Sequence, residues 1–116
     1  DGWATCAMTQ NGFVRILASP RQGAAMGSPA ELVKHLTQFC ASGHHVFWRD
    51  SVTLTDTRLF NHALIRGSRQ VSDVYLLGLA KRMGGCLATL DGSIPLGAVV
   101  GATRDTLAVI SAVADR

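Results

Sequence analysis

The feature that most constrains this fold is an apolar segment in which a helical pattern runs directly into a strand pattern. It covers residues 69–96 and reads "RQVSDVYLLGLAKRMGGCLATLDGSIPL". Apolar side chains in 72–83 go most of the way round a helix, which is typical of a helix buried on several sides. We predict that Gly84 or Gly85 ends this helix and that 86–90 is a buried strand.

The rest of the chain continues this alternation of strands with helices. Strands are predicted at 3–8, 44–48, 86–90 and 105–111, and helices at 9–19, 28–43, 55–66 and 72–83. Because no hairpin turn joins the first three strands, the pattern predicts an α/β fold with a mainly parallel sheet between helical layers. The clearest helix start is Ser28, followed by Pro29 and by Glu31, which completes a capping box.

Composition limits the class of protein. The chain has 116 residues, of which 47% are hydrophobic, so one domain over 1–116 with a real core is expected. A net charge of +3 weakly favours an anionic partner, and the arginines are scattered rather than collected in a nucleic-acid tail. No apolar stretch reaches the roughly 18–20 residues of a membrane span.

The cysteines suggest a compartment rather than a site. Cys6, Cys40 and Cys86 are widely spaced and form no CxxC pair, so a structural zinc site is not expected. Each lies in an apolar run and is predicted to pack as a small core residue. This pattern suits a reducing compartment, so we expect a cytoplasmic protein.

Two acids, Asp73 and Asp91, stand at the ends of apolar elements. Taken singly, Asp73 beside the predicted cap Ser72 could cap the helix or compensate its dipole, and Asp91 could belong to a turn. However, a helix that leads straight into a strand runs antiparallel to it, so the two acids should converge at one rim of the sheet. Two unpaired carboxylates there would repel unless a cation holds them, and oxygen ligands suit Mg²⁺ or Mn²⁺.

Other candidate sites are weaker. His44 and His45 are neighbours in a predicted strand, so they point to opposite faces and cannot bind one zinc ion together. The segment 97–102, "GAVVGA", has glycines but neither the spacing nor the Lys-Ser/Thr of a phosphate loop. A flavodoxin-like or receiver-type domain would need an acidic cluster after its first strand, which the sequence lacks.

At this point the motifs support a resemblance. The segments "TCAMTQNGFVRIL" and "RQVSDVYLLGLAKRMGGCLATLDGSIPL" resemble PIN-domain ribonucleases, and most of all the VapC toxins of toxin–antitoxin pairs. The family's sequence typically runs Thr-Cys-Pro-x-Thr-Glu-Asn-Gly-Phe-x-Arg, then Thr-Asp-Ala-Tyr-Leu-Leu-x-Leu-Ala, then Ala-Thr-x-Asp. The resemblance covers essentially the whole chain, and the motifs occur in the same order as in the family.

The resemblance implies a set of site residues. The family's helix-start acid matches Asp73, its post-strand acid matches Asp91, and the hydroxyl two residues earlier matches Thr89. Its Glu falls on Gln10, a neutral amide that can still accept a hydrogen bond from a metal-bound water. The acid that ends the family's first strand has no counterpart, so the chain keeps two of four expected acids.

The resemblance also implies an architecture. The family's strand order is 3-2-1-4-5, and on that map the four predicted strands are the second to the fifth. The central first strand would be missing from this N-terminally truncated chain, which would leave two unpaired edges. We therefore expect the missing segment to be bound in trans, and the fragment alone to be inactive.

The implied function is that of a Mg²⁺-dependent endoribonuclease toxin, with Arg15 and Arg69 as candidates to contact the RNA backbone. A cognate antitoxin would hold it inactive, and a homodimer is expected, with Gly12 and the first helix as a candidate face. The alternative is a non-catalytic PIN-like RNA- or protein-binding module that has lost a complete metal site. Gln10 and the absent first acid favour that alternative.

Overall fold

The computed structural model describes residues 2–19 and 26–110. It contains strands β1 (Trp3–Thr5), β2 (His45–Phe47), β3 (Leu87–Thr89) and β4 (Leu107–Val109), and helices α1 (Ala7–Leu17), α2 (Pro29–Cys40) and α3 (Val71–Arg82). Two compact units are formed, Asp1–Asp50 and Ser51–Arg116, and each contains one two-stranded parallel sheet. The predicted mixed α/β fold with parallel strands is confirmed. The single domain over 1–116 stays a prediction.

In the first unit, β1 pairs with β2 so that Trp3 lies opposite His45 and Thr5 opposite Phe47. Helix α1 begins almost at once, because the Thr9 hydroxyl accepts a hydrogen bond from the Cys6 backbone N–H at 2.9 Å and donates to the Cys6 carbonyl at 3.0 Å. The predicted strand 3–8 is therefore too long, since its last two residues form the first turn of α1.

Helices α1 and α2 pack against each other in this unit. The rings of Phe13 and Phe39 meet edge to face, with centroids 6.2 Å apart, a favoured aromatic arrangement. The capping box that begins α2 is confirmed: the Ser28 N–H donates to Glu31 Oε1 at 2.8 Å, and the Glu31 N–H donates to Ser28 Oγ at 3.1 Å. Pro20 and most of the predicted loop 21–27 lie outside the described residues.

In the second unit, α3 leads into β3 through a glycine turn, as predicted. Gly84 has φ of +73°, and the Gly85 N–H donates to the Ala80 carbonyl at 2.8 Å, a C-terminal arrangement that favours glycine. The predicted cap at Ser72 is wrong. A 3₁₀ turn over Ser68–Gln70 runs straight into α3, so that Gln70 occupies the cap position and Ser72 lies inside the first turn.

The core of the second unit forms around α3, whose burial on several sides is confirmed. Val74 and Leu77 are fully buried, and they pack with Phe60 and Val99. Gly78 lies directly against the Phe60 ring, and a Cβ atom at that position would overlap it. The glycine in the middle of this helix is therefore needed for close packing, despite its low helix propensity.

The predicted α-helix over 55–66 is wrong. The structure has turns there and one short 3₁₀ helix, His62–Leu64. The Val100 N–H donates to the Leu59 carbonyl at 2.8 Å, and the Asn61 N–H donates to the Ala98 carbonyl at 2.9 Å. These backbone groups form hydrogen bonds with the segment that follows β3 and not with a helical turn. Leu59 and Phe60 are both buried in this arrangement.

The three cysteines differ in environment. Cys6 is buried and Cys40 is half-buried, but Cys86 is exposed, so its predicted place in the core is wrong. Cys86 comes directly after the glycine turn and before β3, where the chain is at the surface. Over residues 2–19 and 26–110, no helix combines the length and the apolar character that crossing a membrane requires.

Candidate functional site

The path from α3 into β3 brings Asp73 and Asp91 close together. Asp73 lies in the first turn of α3, and Asp91 follows the last residue of β3 by two positions. Burial raises the pKa of Asp73, and the negative charge of Asp91 in the same unit raises it as well. This effect agrees with the predicted convergence of these two side chains, here called the acidic pair.

The Asp91 carboxylate is held in place by Ser93. Its Oδ1 atom accepts hydrogen bonds from the Ser93 hydroxyl at 2.6 Å and from the Ser93 backbone N–H at 2.8 Å. These two donors favour the charged form, so they lower the pKa of Asp91 below its ordinary value. One Asp91 oxygen is therefore oriented by its own turn, whereas no donor among the described residues bonds Oδ2.

Asp73 has the opposite environment. It is half-buried, and burial together with the nearby charge of Asp91 raises its pKa. Within the two described stretches of chain, no hydrogen-bond donor or basic side chain reaches its carboxylate. A partly desolvated carboxylate beside a second one, with no donor of its own, is the kind of environment that a cation would stabilise.

Thr89 closes the turn on which Asp91 lies. Its Oγ1 atom accepts a hydrogen bond from the Asp91 backbone N–H at 3.0 Å. The side chain that the resemblance assigned to the site therefore lies at the end of β3, beside the acidic pair in sequence. In this structure its visible contact shapes the backbone that carries Asp91.

Gln10, the fourth residue implied by the resemblance, lies in the first unit, on the first turns of α1. Its Nε2 atom donates to Thr5 Oγ1 at 2.9 Å and lies 3.9 Å from Cys40 Sγ. Thr5 Oγ1 lies 2.8 Å from His45 Nε2. Gln10 also borders an open cavity of about 400 Å³, lined by Gln10, Val33, Leu36, Thr37, Cys40 and Ala41.

The two arginines predicted to contact RNA are both exposed. Arg15 lies in the last turn of α1, and Arg69 lies in the 3₁₀ turn directly before α3. The described ion pairs both belong to Asp56, which contacts Arg58 and Arg82 at 3.6 Å. Neither Arg15 nor Arg69 forms an ion pair with an acid among the described residues.

The acidic pair fits one kind of metal better than others. Two carboxylates without sulfur or imidazole favour a hard ion such as Mg²⁺, which keeps several waters and needs only one or two carboxylates besides a phosphate. In the part of the chain that the structure describes, no group of three His, Cys, Asp or Glu side chains could hold a metal ion.

Comparison with known proteins identifies relatives along most of the chain. Over 109 residues, or 94% of this chain and 76% of the relative, it is 39% identical to ribonuclease VapC44 of Mycobacterium tuberculosis. It is also 40% identical to ribonuclease VapC38 of the same species over 93 residues, or 80% of this chain and 64% of that protein. The chain belongs to the VapC family. A third VapC relative, ribonuclease VapC39, is 32% identical over 101 residues.

Membership of the VapC family confirms the resemblance that the motifs indicated. No protein-family model and no solved structure matches the chain. The roles of Asp73, Asp91, Gln10 and Thr89 stay predictions, as do those of Arg15 and Arg69.

Sequence reasoning missed two contributors to this geometry. The first is Ser93, for which a signal exists: an Asp-x-Ser pattern after a strand places a hydroxyl where it can bond the carboxylate. The second is His45, which the sequence brings to attention only as a possible zinc ligand. Its contact with Thr5 depends on the pairing of β1 with β2, which no local pattern specifies.

Proposed function

We propose that this VapC-family chain is a Mg²⁺-dependent endoribonuclease toxin that hydrolyses phosphodiester bonds in RNA. The observation that carries this proposal is the acidic pair, in which Asp91 is charged and oriented by Ser93 while Asp73 is half-buried with no donor among the described residues. Such a pair matches the ligand chemistry of Mg²⁺, with Mn²⁺ as a substitute of the same type.

Each residue has a defined part in this proposal. Asp73 and Asp91 hold the divalent ion, and Ser93 keeps one Asp91 oxygen in a fixed direction. A bound ion of this kind supplies Lewis-acid stabilisation of charge on the phosphate and lowers the pKa of a water molecule. Gln10 contributes a neutral acceptor, and Thr89 keeps the backbone of Asp91 in its turn.

The same proposal assigns the partners. The exposed Arg15 and Arg69 contact phosphates of the RNA substrate. A cognate antitoxin neutralises the toxin by placing a basic side chain, best an arginine, on the acidic pair. Two copies form a homodimer through α1, in which a Cβ atom at Gly12 would meet no described atom outside the helix's own backbone within 4 Å.

A further strand is also part of the proposal. Among the described strands, β1 pairs only with β2 and β3 only with β4, so the second edges of β1 and β3 have no strand partner there. Unpaired edges favour the addition of a strand. We expect a strand bound in trans to pair with one of these edges.

The test is cleavage of a structured RNA by the full-length protein with an Asp73→Asn substitution. Because the substitution removes a proposed metal ligand while keeping the shape of the side chain, cleavage should fall by roughly 100-fold or more. The matched control is Asp105→Asn, which changes an exposed acid of the same unit. Unchanged cleavage by the Asp73→Asn protein, or cleavage that persists in excess chelator, would contradict the proposal.

A second candidate is a non-catalytic PIN-like module that binds RNA or protein. It is favoured by Gln10, which lacks the charge of the family's Glu, and by the acidic pair having only two carboxylates. Calorimetric titration with Mg²⁺ separates the two candidates. Heat of binding that disappears in the Asp73→Asn variant supports the enzyme, and RNA binding without any Mg²⁺ binding supports the module.

A further inference from the structure

A connected series of three polar side chains crosses the first unit. His45 Nε2 lies 2.8 Å from Thr5 Oγ1, and Gln10 Nε2 lies 2.9 Å from the same oxygen. All three residues are half-buried, so their polar atoms depend on one another rather than on bulk water. We call this series the Gln10 relay.

The acceptor of the single Thr5 hydroxyl proton determines which end of the Gln10 amide can face Thr5. A threonine hydroxyl has a single proton to donate and can accept hydrogen bonds as well. In the structure Thr5 accepts from the Gln10 amide nitrogen, so its own proton is free to go to His45 Nε2. When that proton goes to His45 Nε2, the ring carries its own proton on Nδ1, and only lone pairs of the hydroxyl face Gln10.

The opposite state of His45 would release this constraint. A proton on Nε2 would be donated to Thr5, whose own proton would then be free for the amide oxygen of Gln10 or for another acceptor. The hydroxyl would no longer fix which end of the amide faces it. The two ends of the amide differ in function, because only the oxygen can accept a hydrogen bond or contact a cation.

We propose that His45 is a positioning residue which, through the Thr5 hydroxyl, holds the Gln10 amide with Oε1 outward as an acceptor. This inference rests on the proposed function, in which Gln10 replaces the family's Glu. Among the described residues no donor bonds Oε1, whereas Nε2 faces Thr5 and lies 3.9 Å from Cys40 Sγ. A neutral amide in this orientation retains the acceptor of a Glu while losing its charge.

The surroundings of His45 keep its ring in position for this role. Its ring centroid lies 4.6 Å from that of Trp3, with the two planes tilted by 58°. Trp3 lies directly opposite His45 in the β1–β2 pairing, and Thr5 is two residues further along β1 on the same face. The histidine therefore lies between an aromatic ring and a hydroxyl that are both placed by the same strand.

The first test uses the metal-free protein and needs no activity. Long-range ¹H–¹⁵N spectra at about pH 8, where an ordinary imidazole is neutral, distinguish protonated from unprotonated ring nitrogens. We expect an unprotonated Nε2 at His45, and slow solvent exchange of the Gln10 side-chain amide protons. A proton on Nε2 of His45, or Gln10 amide protons that exchange as fast as exposed ones, would overturn the proposal.

The second test uses a matched set of threonine variants. Thr5→Val keeps the shape and strand preference of the side chain but removes the hydroxyl, and Thr5→Ser restores it. The control Thr37→Val removes a hydroxyl that bonds the Val33 carbonyl within α2. We expect Thr5→Val to speed the exchange of the Gln10 amide protons and to lower kcat about tenfold with KM for RNA unchanged, and Thr5→Ser to reverse both effects.

The outcomes separate the relay from the proposed function. If Thr5→Val cleaves RNA like the natural protein, His45 is not a positioning residue and the proposal is overturned. If the Asp73→Asn variant keeps full cleavage, the proposed function fails instead, and the spectra of His45 and Gln10 still decide the relay because Asp73 takes no part in them. If Thr5→Val lowers kcat and speeds amide exchange but Thr5→Ser restores neither, the effect comes from a loss of stability. That result also counts against the relay.

Discussion

Asp73 and Asp91 are near neighbours, yet their surroundings move their pKa values in opposite directions. Burial and the charge of Asp91 raise the pKa of Asp73, whereas two hydrogen bonds from Ser93 lower the pKa of Asp91. Pairs of carboxyl groups with divergent pKa values are typical of sites where charge is used in chemistry or metal binding. The two acids therefore affect the stability of the fold in opposite ways.

The raised pKa of Asp73 predicts a stability change that depends on pH. A raised pKa means that the folded protein binds this proton more readily than the unfolded chain, so the free energy of unfolding falls as pH rises through that range. At about pH 7 the ionised Asp73 is then a cost to the metal-free fold. We expect Asp73→Asn to melt at a higher temperature than the natural protein at neutral pH.

The same comparison at acid pH provides the check. Below the ordinary pKa of an aspartate, Asp73 is neutral in both folded and unfolded states, so the difference in melting temperature between the two proteins should narrow. Thermal unfolding followed by circular dichroism at several pH values measures this difference in melting temperature. A difference that is constant with pH would show that burial of charge is not the cause.

The hydrogen bonds from Ser93 should affect the pKa of Asp91. Removing its hydroxyl by Ser93→Ala takes away the 2.6 Å hydrogen bond to Asp91 Oδ1 but keeps the bond from the backbone N–H. The pKa of Asp91 should therefore rise, as followed by NMR of its carboxyl carbon. If Asp91 is a metal ligand as proposed, cleavage should fall by about tenfold, which is typical when the hydrogen-bond partner of a metal ligand is removed. An unchanged pKa would contradict this assignment.

At the scale of elements, α3 combines two tasks. Its first turn carries Asp73, and its central turns pack on the core of the second unit. Gly78 permits the Phe60 ring to approach the helix backbone. The position of Asp73 therefore depends on a packing contact more than one helical turn away from it, which links the core to the site.

A Gly78→Ala substitution should destabilise the protein in spite of the better helix propensity of alanine. The added methyl group overlaps the Phe60 ring, and overpacking of this kind costs about 1–3 kcal/mol, more than the roughly 1 kcal/mol that alanine gains over glycine. The free energy of unfolding, measured by urea denaturation, gives the net effect of the overpacking and the helix propensity.

The control for this substitution lies in α1. Within one copy of the chain, a methyl group added at Gly12 would meet no described atom outside the backbone of α1 within 4 Å, so Gly12→Ala should leave the folded monomer equally or more stable. If Gly78→Ala proves as stable as Gly12→Ala, the close approach of Phe60 to α3 is wrong.

For the whole molecule, metal binding and stability should be linked. A ligand that binds only the folded state stabilises it by about 2.7 kcal/mol at a concentration of 100 times its Kd. We therefore expect Mg²⁺ to raise the melting temperature of the natural protein and to have little effect on Asp73→Asn. Differential scanning calorimetry with and without Mg²⁺, at constant ionic strength, is the measurement. An equal rise in both proteins would point to binding elsewhere.

Much of the candidate site is predictable because it depends on local order along the chain. The helix-to-strand step over 69–96 implies that Asp73 and Asp91 converge, whatever the rest of the fold does. The capping box at Ser28 and the glycine turn at Gly84 follow from backbone groups that only nearby residues can satisfy. In contrast, the pattern over 55–66 wrongly predicts a helix, because its buried residues bond the backbone of a distant segment.

By itself, the sequence determined the alternation of elements, the meeting of the acidic pair and the membership of the VapC family. Only the tertiary structure decided that Ser93 orients Asp91, that Asp73 has no donor among the described residues, and that Gln10 connects through Thr5 to His45. The physical reason is that hydrogen-bond direction and burial depend on which atoms approach across strands and turns. The spacing of apolar residues indicates which residues are buried, but it does not indicate which polar atoms form hydrogen bonds in the interior.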